Sequence, residues 1–216
     1  MQDKRYSTGE EIFNSVSHGV TALAAVIGTS VMVTLASCFG TTKAVVTCLI
    51  YGITMIIMFT MSTLYHAFPM AKVKALFRIF DHTSIPLLIA GTYTPFCLIV
   101  LDGNPKGKMV IAIVWACAAL AIALNVINLD KFEKYTLWIY VIMGWAALLA
   151  IKDIVRALPQ NGFYLLLAGG IAYTVGIIFY KIKKKYMHCV WHVFVSLGSI
   201  LHYFCVVLYV LPMTYA

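Results

Sequence analysis

"MVIAIVWACAALAIALNVINL", Met109 to Leu129, runs for 21 residues without an Asp, Glu, Lys or Arg. A helix of that length rises about 30 Å, the thickness of the hydrocarbon core of a bilayer. Its side chains are apolar on every face instead of alternating with polar ones, so it does not read as a strand of a membrane β-barrel. Dividing the rest of the chain at every charged residue leaves six further uncharged intervals of at least 17 residues, at 12–42, 44–71, 82–101, 135–151, 157–180 and 186–216. With 62% hydrophobic and only 11% charged residues in 216, no soluble class accommodates the composition. The expectation is an all-α integral membrane protein, a seven-transmembrane-helix bundle forming one domain over residues 1–216. Its helices are placed near 17–39, 44–67, 82–101, 109–129, 135–151, 162–180 and 188–211.

The segment ahead of the first apolar run, "MQDKRYSTGEEIF", mixes both charge signs and leads into no small-residue cleavage site, so it reads as the approach to a retained helix. Basic residues set the orientation. Eleven fall on the N-terminal side of the expected bundle: Lys4, Arg5, Lys72, Lys74, Arg78, Lys131, Lys134, Lys181, Lys183, Lys184 and Lys185. Five fall on the other: Lys43, Lys106, Lys108, Lys152 and Arg156. Cytoplasmic loops carry the excess of Lys and Arg, which predicts a cytoplasmic N-terminus and an extracytoplasmic C-terminus, in a multi-pass protein of the plasma membrane. The net charge of +8 is explained by basic loops facing anionic lipid, and no nucleic-acid partner is expected.

The six cysteines, Cys38, Cys48, Cys97, Cys117, Cys189 and Cys205, are scattered singly and form no CxxC pair. They read as small buried hydrophobes, not as a disulfide framework or a thiolate site. Cys189 adjoins His188, but one residue is about 100° around a helix, so it faces away.

The histidines gather. With the chain threaded as above, His66 ends the second helix, His82 begins the third, His188 and His192 begin the seventh and His18 lies in the first, all toward the cytoplasmic side. The shared depth is independent of the orientation, which rests on Lys and Arg alone. Residues four apart stack on one helix face, so His188 and His192 reach one point and Ser62 shares a face with His66. Three neutral imidazoles from two helices supply three corners of a tetrahedron and leave the fourth open, as at a catalytic zinc. Asp81 is the carboxylate at this layer: it accepts a proton from water at the metal, orients a ligand from behind, or caps the third helix with Arg78 neutralising it. Ser62 either joins the site or hydrogen-bonds back to its own helix. Glu11, Asn14 and His18, spaced i, i+3 and i+7, line one face of the first helix in a supporting role. His82 faces about 100° away from Asp81 and is left structural. His202, ten residues past His192 and therefore about 15 Å deeper, cannot share its metal and is expected to make a polar contact in the bundle.

Taken together, "EIFNSVSH" (ExxNxxxH), "STLYH" followed by Asp81 (SxxxH…D) and "HCVWH" (HxxxH) resemble the hemolysin III branch of the progestin and adipoQ receptor family. That family includes the adiponectin receptors and is related to the alkaline ceramidases. The resemblance runs over essentially the whole chain. It implies zinc near the cytoplasmic leaflet, ligands at His66, His188 and His192, and Asp81 at the metal-bound water with Ser62 beside it. The chain lacks the long cytosolic N-terminal segment of the eukaryotic receptors, which argues against hormone reception.

The expected chemistry is hydrolysis of a lipid amide or ester, in the service of membrane lipid homeostasis, with membrane lipids as partners and the acyl chain lying among the helices as substrate or ligand. The competing readings are a non-catalytic lipid sensor or regulator and the cytolytic activity attributed to the branch. A transporter would want more broken helices near the midplane than Pro86 and Pro95 supply, and HxxxH on one helix cannot give a single haem iron both its axial ligands.

Overall fold

Three of the long helices start where a side chain completes the first turn. The computed structural model describes residues 6–215, and among these all regular structure is helical. α1 (Thr8–Phe39) opens on a capping box: the Ser7 hydroxyl accepts from Glu10 N, and the Glu10 carboxylate accepts from Ser7 N at 2.8 Å. Thr41 accepts from Ala44 N at the head of α2 (Thr42–Ala67). α3 (Ala71–Pro95) runs on into a π-helical turn, Phe96–Val100. Asn104 caps α4 (Pro105–Gly144), where the missing N–H of Pro105 costs nothing because the first turn has no partner for it.

α4 is two helical segments joined at a kink. Asn128 has φ −164° and ψ 93°, outside the helical range, and its Oδ1 accepts from Lys131 N at 3.0 Å. Those are the backbone and the bond of an N-cap, so a new helix begins just after Asn128. A 3₁₀ stretch (Ala146–Ala150), α5 (Ile151–Ala157) and α6 (Gln160–Lys181) follow. α7 (Met187–Cys205) loosens into a second π-helical turn (Val206–Val210) and ends in the 3₁₀ turn Leu211–Thr214. Both π turns lie beside a proline, Pro95 or Pro212, that withholds the N–H needed to keep the α ladder in register.

Six helical stretches among the described residues are long and apolar enough to cross a membrane. They pack in chain order, α1 on α2, α2 on α3, α3 on α4, and α6 on α7, with α7 returning to α1. Small residues permit the closest crossings. The Cα of Gly52 faces the Thr29 side chain between α1 and α2, and that of Gly91 faces Thr54 between α2 and α3, where any Cβ would collide.

Two helices begin well ahead of their expected starts. α3 begins at Ala71, not near residue 82, and α1 at Thr8, not near 17. Charges bound the part of a helix that lies in hydrocarbon, whereas the turns bearing Lys72, Lys74 and Arg78 stay helical in a polar layer. Asp81 is therefore inside α3 and does not cap it. Arg78 does not neutralise it either: its guanidinium donates to Asp130 at 2.7 Å and to Glu133 at 2.9 Å, tying α3 to the second segment of α4. Of the basic residues assigned to the N-terminal side, Lys4 and Arg5 lie outside the described residues.

Candidate metal centre

The end of α2 and the start of α7 bring three imidazoles together. One ring nitrogen each from His66, His188 and His192 lies within 4.8 Å of the other two. His188 and His192, one turn apart on α7, meet through their Nε2 atoms at 3.1 Å. His66 crosses from α2, with its ring 4.9 Å from that of His192 and nearly perpendicular to it, and 5.4 Å from that of His188. His66 and His192 are buried, and His188 is partly so.

The ring nitrogens fit a metal. His66 Nδ1 meets the Glu11 carboxylate at 2.6 Å, while His66 Nε2 is buried with no protein partner. An acceptor carboxylate requires the proton to be on Nδ1, which leaves Nε2 as an unused lone pair. The Nε2 atoms of His188 and His192 share a hydrogen bond when one ring carries its proton there, and with both rings in the Nδ1–H tautomer they turn two lone pairs toward the same point. A cation among the three nitrogens satisfies all of them. Tetrahedral ligation at about 2.0–2.1 Å per nitrogen needs the nitrogens about 3.3 Å apart, against 3.1 Å between His188 and His192 and at most 4.8 Å across the cluster.

The surrounding residues make a shell. His18 of α1 stacks on His192 with centroids 3.8 Å apart, and its Nε2 lies 3.3 Å from His192 O. Asn14 is fully buried beside them, its main chain approaching His192. Tyr6 stacks on His188 at 4.6 Å. Cys189 Sγ turns to Glu10 O, 3.9 Å away, and stays out of the cluster.

A cavity of about 150 Å³ opens from the cluster into the bundle. His188 and His192 form one wall of it, and Ser62 and Asp81 line it as well. Thr63, next in the chain to Ser62, gives its hydroxyl hydrogen to Phe59 O, while Ser62 faces the cavity. The Asp81 carboxylate stands 3.6 Å from His82 Nδ1. A second cavity of about 100 Å³ shares Thr92, Tyr93, Gly144, Trp145, Gly170 and His202 with the first and carries the apolar space on toward Leu101 and Ile154. His202 sits at that junction, its Nε2 donating to Leu166 O at 3.0 Å.

Several polar residues in the wall of this cavity or just behind it carry no signal in spacing. Tyr180 donates to Glu133 at 2.7 Å, joining α6 to α4 at the cavity wall. Asn125 Nδ2 meets Tyr140 OH at 2.7 Å and reaches His82 O at 3.4 Å, while Tyr140 OH donates to the same carbonyl at 3.0 Å. Asn125 was the one findable from sequence, since an amide deep in a hydrophobic run needs a partner. Tyr180 and Glu133 lie on different helices with nothing in the sequence linking them.

Apolar helices packed side by side, with a buried three-histidine cluster at one end of an apolar cavity, define a multi-pass helical membrane protein with a candidate metal centre. The family model described as haemolysin-III related matches residues 6–203, and the chain belongs to that family. It is 44% identical over 204 residues to Hemolysin-3 of Bacillus cereus, covering 94% of this chain and 93% of the relative. It is 37% identical over 205 residues to the Hemolysin-3 homolog of Bacillus subtilis (strain 168), covering 94% and 96%. The similarity extends to the human monocyte to macrophage differentiation factor, 24% identical over 205 residues and covering 91% and 83%.

Proposed function

We propose that this protein is a zinc-dependent hydrolase of membrane-lipid amide or ester bonds. In this reading it crosses the plasma membrane seven times, with the N-terminus in the cytoplasm and the metal near the cytoplasmic leaflet. The count of seven rests on the stretch Pro105–Ala157. Its 53 residues would measure about 80 Å as one straight helix, far beyond one hydrocarbon core, and the break at Asn128 divides it into two crossings.

The observation that carries the enzymatic reading is the position of the histidine cluster at the head of an elongated apolar space that also holds a carboxylate and a hydroxyl. Zinc at His66, His188 and His192 would supply a Lewis acid that polarises an acyl carbonyl and makes water a nucleophile near neutral pH. The apolar lining between α3, α4, α6 and α7 holds the acyl chain and keeps bulk water from it. Asp81 takes the proton of the attacking water as its oxygen bonds to the acyl carbon. The Ser62 hydroxyl donates to the oxyanion that forms. Collapse of that adduct breaks the carbon–nitrogen or carbon–oxygen bond, and Asp81 returns the proton to the departing amine or alcohol. The products are a fatty acid and the remainder of the lipid.

Release of free fatty acid from a panel of lipid amides and esters by zinc-loaded protein in lipid nanodiscs tests this. Turnover that disappears in His188→Ala/His192→Ala supports it. No release from any member of the panel, with zinc bound, replaces the hydrolase by a lipid sensor whose metal is a structural staple. The name carried by the two Bacillus relatives points to cytolysis instead, and haemoglobin release from erythrocytes treated with the same protein measures that directly.

A further inference from the structure

Glu11 is buried more deeply in this site than a helix-surface glutamate of an N-terminal turn needs to be. Its side chain is 18% exposed, and its two oxygens have separate partners. Oε2 accepts a hydrogen bond from His66 Nδ1 at 2.6 Å, and Oε1 meets Lys74 Nζ at 2.8 Å. Lys74 in turn donates to Tyr65 O at 3.1 Å and lies 4.8 Å from the centre of the Tyr65 ring. Lys74 thus belongs to α3, Glu11 to α1, and both Tyr65 and His66 to α2, so three helices are pinned at one carboxylate.

The chemistry of this chain has a direction. Lys74 fixes the rotation of the carboxylate, the carboxylate fixes the proton of His66 on Nδ1, and the lone pair of Nε2 is thereby turned into the histidine cluster. A carboxylate behind an imidazole also raises the basicity of the nitrogen on the far side, which strengthens it as a ligand. Among the described residues, no carboxylate bonds either of the other two rings of the cluster, His188 and His192, which meet each other at Nε2. His66 is also the single ligand from outside α7, and needs a hold independent of that helix.

We infer that Glu11, held by Lys74, is the positioning residue of the metal centre, and that it acts by fixing the tautomer and aim of His66. The inference rests on the metal-binding reading above. Glu11 does not line the cavity that holds Ser62 and Asp81, so it acts through His66.

The test is zinc affinity, by competition with a chromophoric chelator, together with the visible spectrum of the cobalt-substituted protein, on full-length protein purified in detergent. Glu11→Ala should weaken zinc binding about 10- to 100-fold and alter the cobalt absorption. Glu11→Gln keeps the shape but offers Lys74 or His66 an N–H in place of an acceptor oxygen, and should lie between Ala and wild type. Lys74→Met, which frees the carboxylate without removing it, should weaken binding less than Glu11→Ala. Thr21→Ala serves as the control for a loosened α1, because it removes the 2.9 Å bond to Ser196 that joins α1 to α7 without touching Glu11. Equal zinc affinity and an unchanged cobalt spectrum in Glu11→Ala overturn the inference while leaving the metal site standing. So does a loss in Thr21→Ala as large as that in Glu11→Ala, which would assign the effect to packing. A wild-type protein that binds neither metal overturns the metal reading itself and the inference with it.

Discussion

His188 and His192 point their Nε2 atoms at one another across 3.1 Å, one turn apart on α7, with His66 Nε2 buried and unpartnered nearby. With the three rings in the Nδ1–H tautomer, a cation is the simplest group that satisfies all three Nε2 lone pairs. Elemental analysis of detergent-purified protein should find about one zinc per chain, as for a three-histidine site. His188→Ala/His192→Ala should abolish it. Retention of a full equivalent by the double variant would mean the metal sits elsewhere.

Orientation is a separate question from the site. The basic residues divide eleven to five between the two sides of the seven-span threading, and the richer side is the one that holds the histidine cluster. Reporter fusions after residue 216 should be active only where the reporter works outside the cytoplasm. A cytosolic reporter signal from that position would reverse the bundle and move the metal to the outer leaflet.

The α2–α3 crossing depends on the hydrogen of Gly91. A Cβ there would run into Thr54, whose hydroxyl is committed to Tyr51 O at 2.9 Å and cannot easily swing away. Gly91→Ala should destabilise the bundle by about 1–3 kcal/mol, the usual effect of overpacking. Adding Thr54→Ala should recover much of the loss, because the pair is coupled through one contact. Thermal unfolding in detergent measures both. If Gly91→Ala alone melts with wild type, the two helices are not held at that distance.

The sequence made the apolar centres of the helices legible because a charge in hydrocarbon is costly, so every charged residue marks a boundary. It did not locate their ends. Lys72, Lys74 and Arg78 interrupt the apolar pattern but not the hydrogen-bond ladder, so α3 begins at Ala71 and Asp81 falls inside it. The i, i+4 spacing on α7 and the common depth of His66 were enough to group the three histidines. Glu11, Asn14 and His18 were readable as one face of α1, yet not what that face meets. Spacing within a helix orders its own side chains, whereas the bond from Glu11 to His66 and the stack of His18 on His192 depend on how α1 lies against α2 and α7.

Asp81 separates an enzyme from a sensor. It lines the cavity with Ser62, His188 and His192, and it lies within α3, where asparagine would fill the same volume. Asp81→Asn should therefore keep the three histidines in place and retain zinc. If Asp81 carries the proton of the attacking water, fatty-acid release should fall by about 10²- to 10⁴-fold, the usual contribution of a positioned acid or base. If it is only a buried polar neighbour of His82, turnover should match wild type at equal zinc content. A structural metal predicts a third pattern, in which neither protein releases fatty acid but chelation lowers the melting temperature of both. The comparison is made at matched zinc loading, since loss of activity through loss of metal would mimic loss of the base. Equal, measurable turnover by the two proteins removes Asp81 from the reaction.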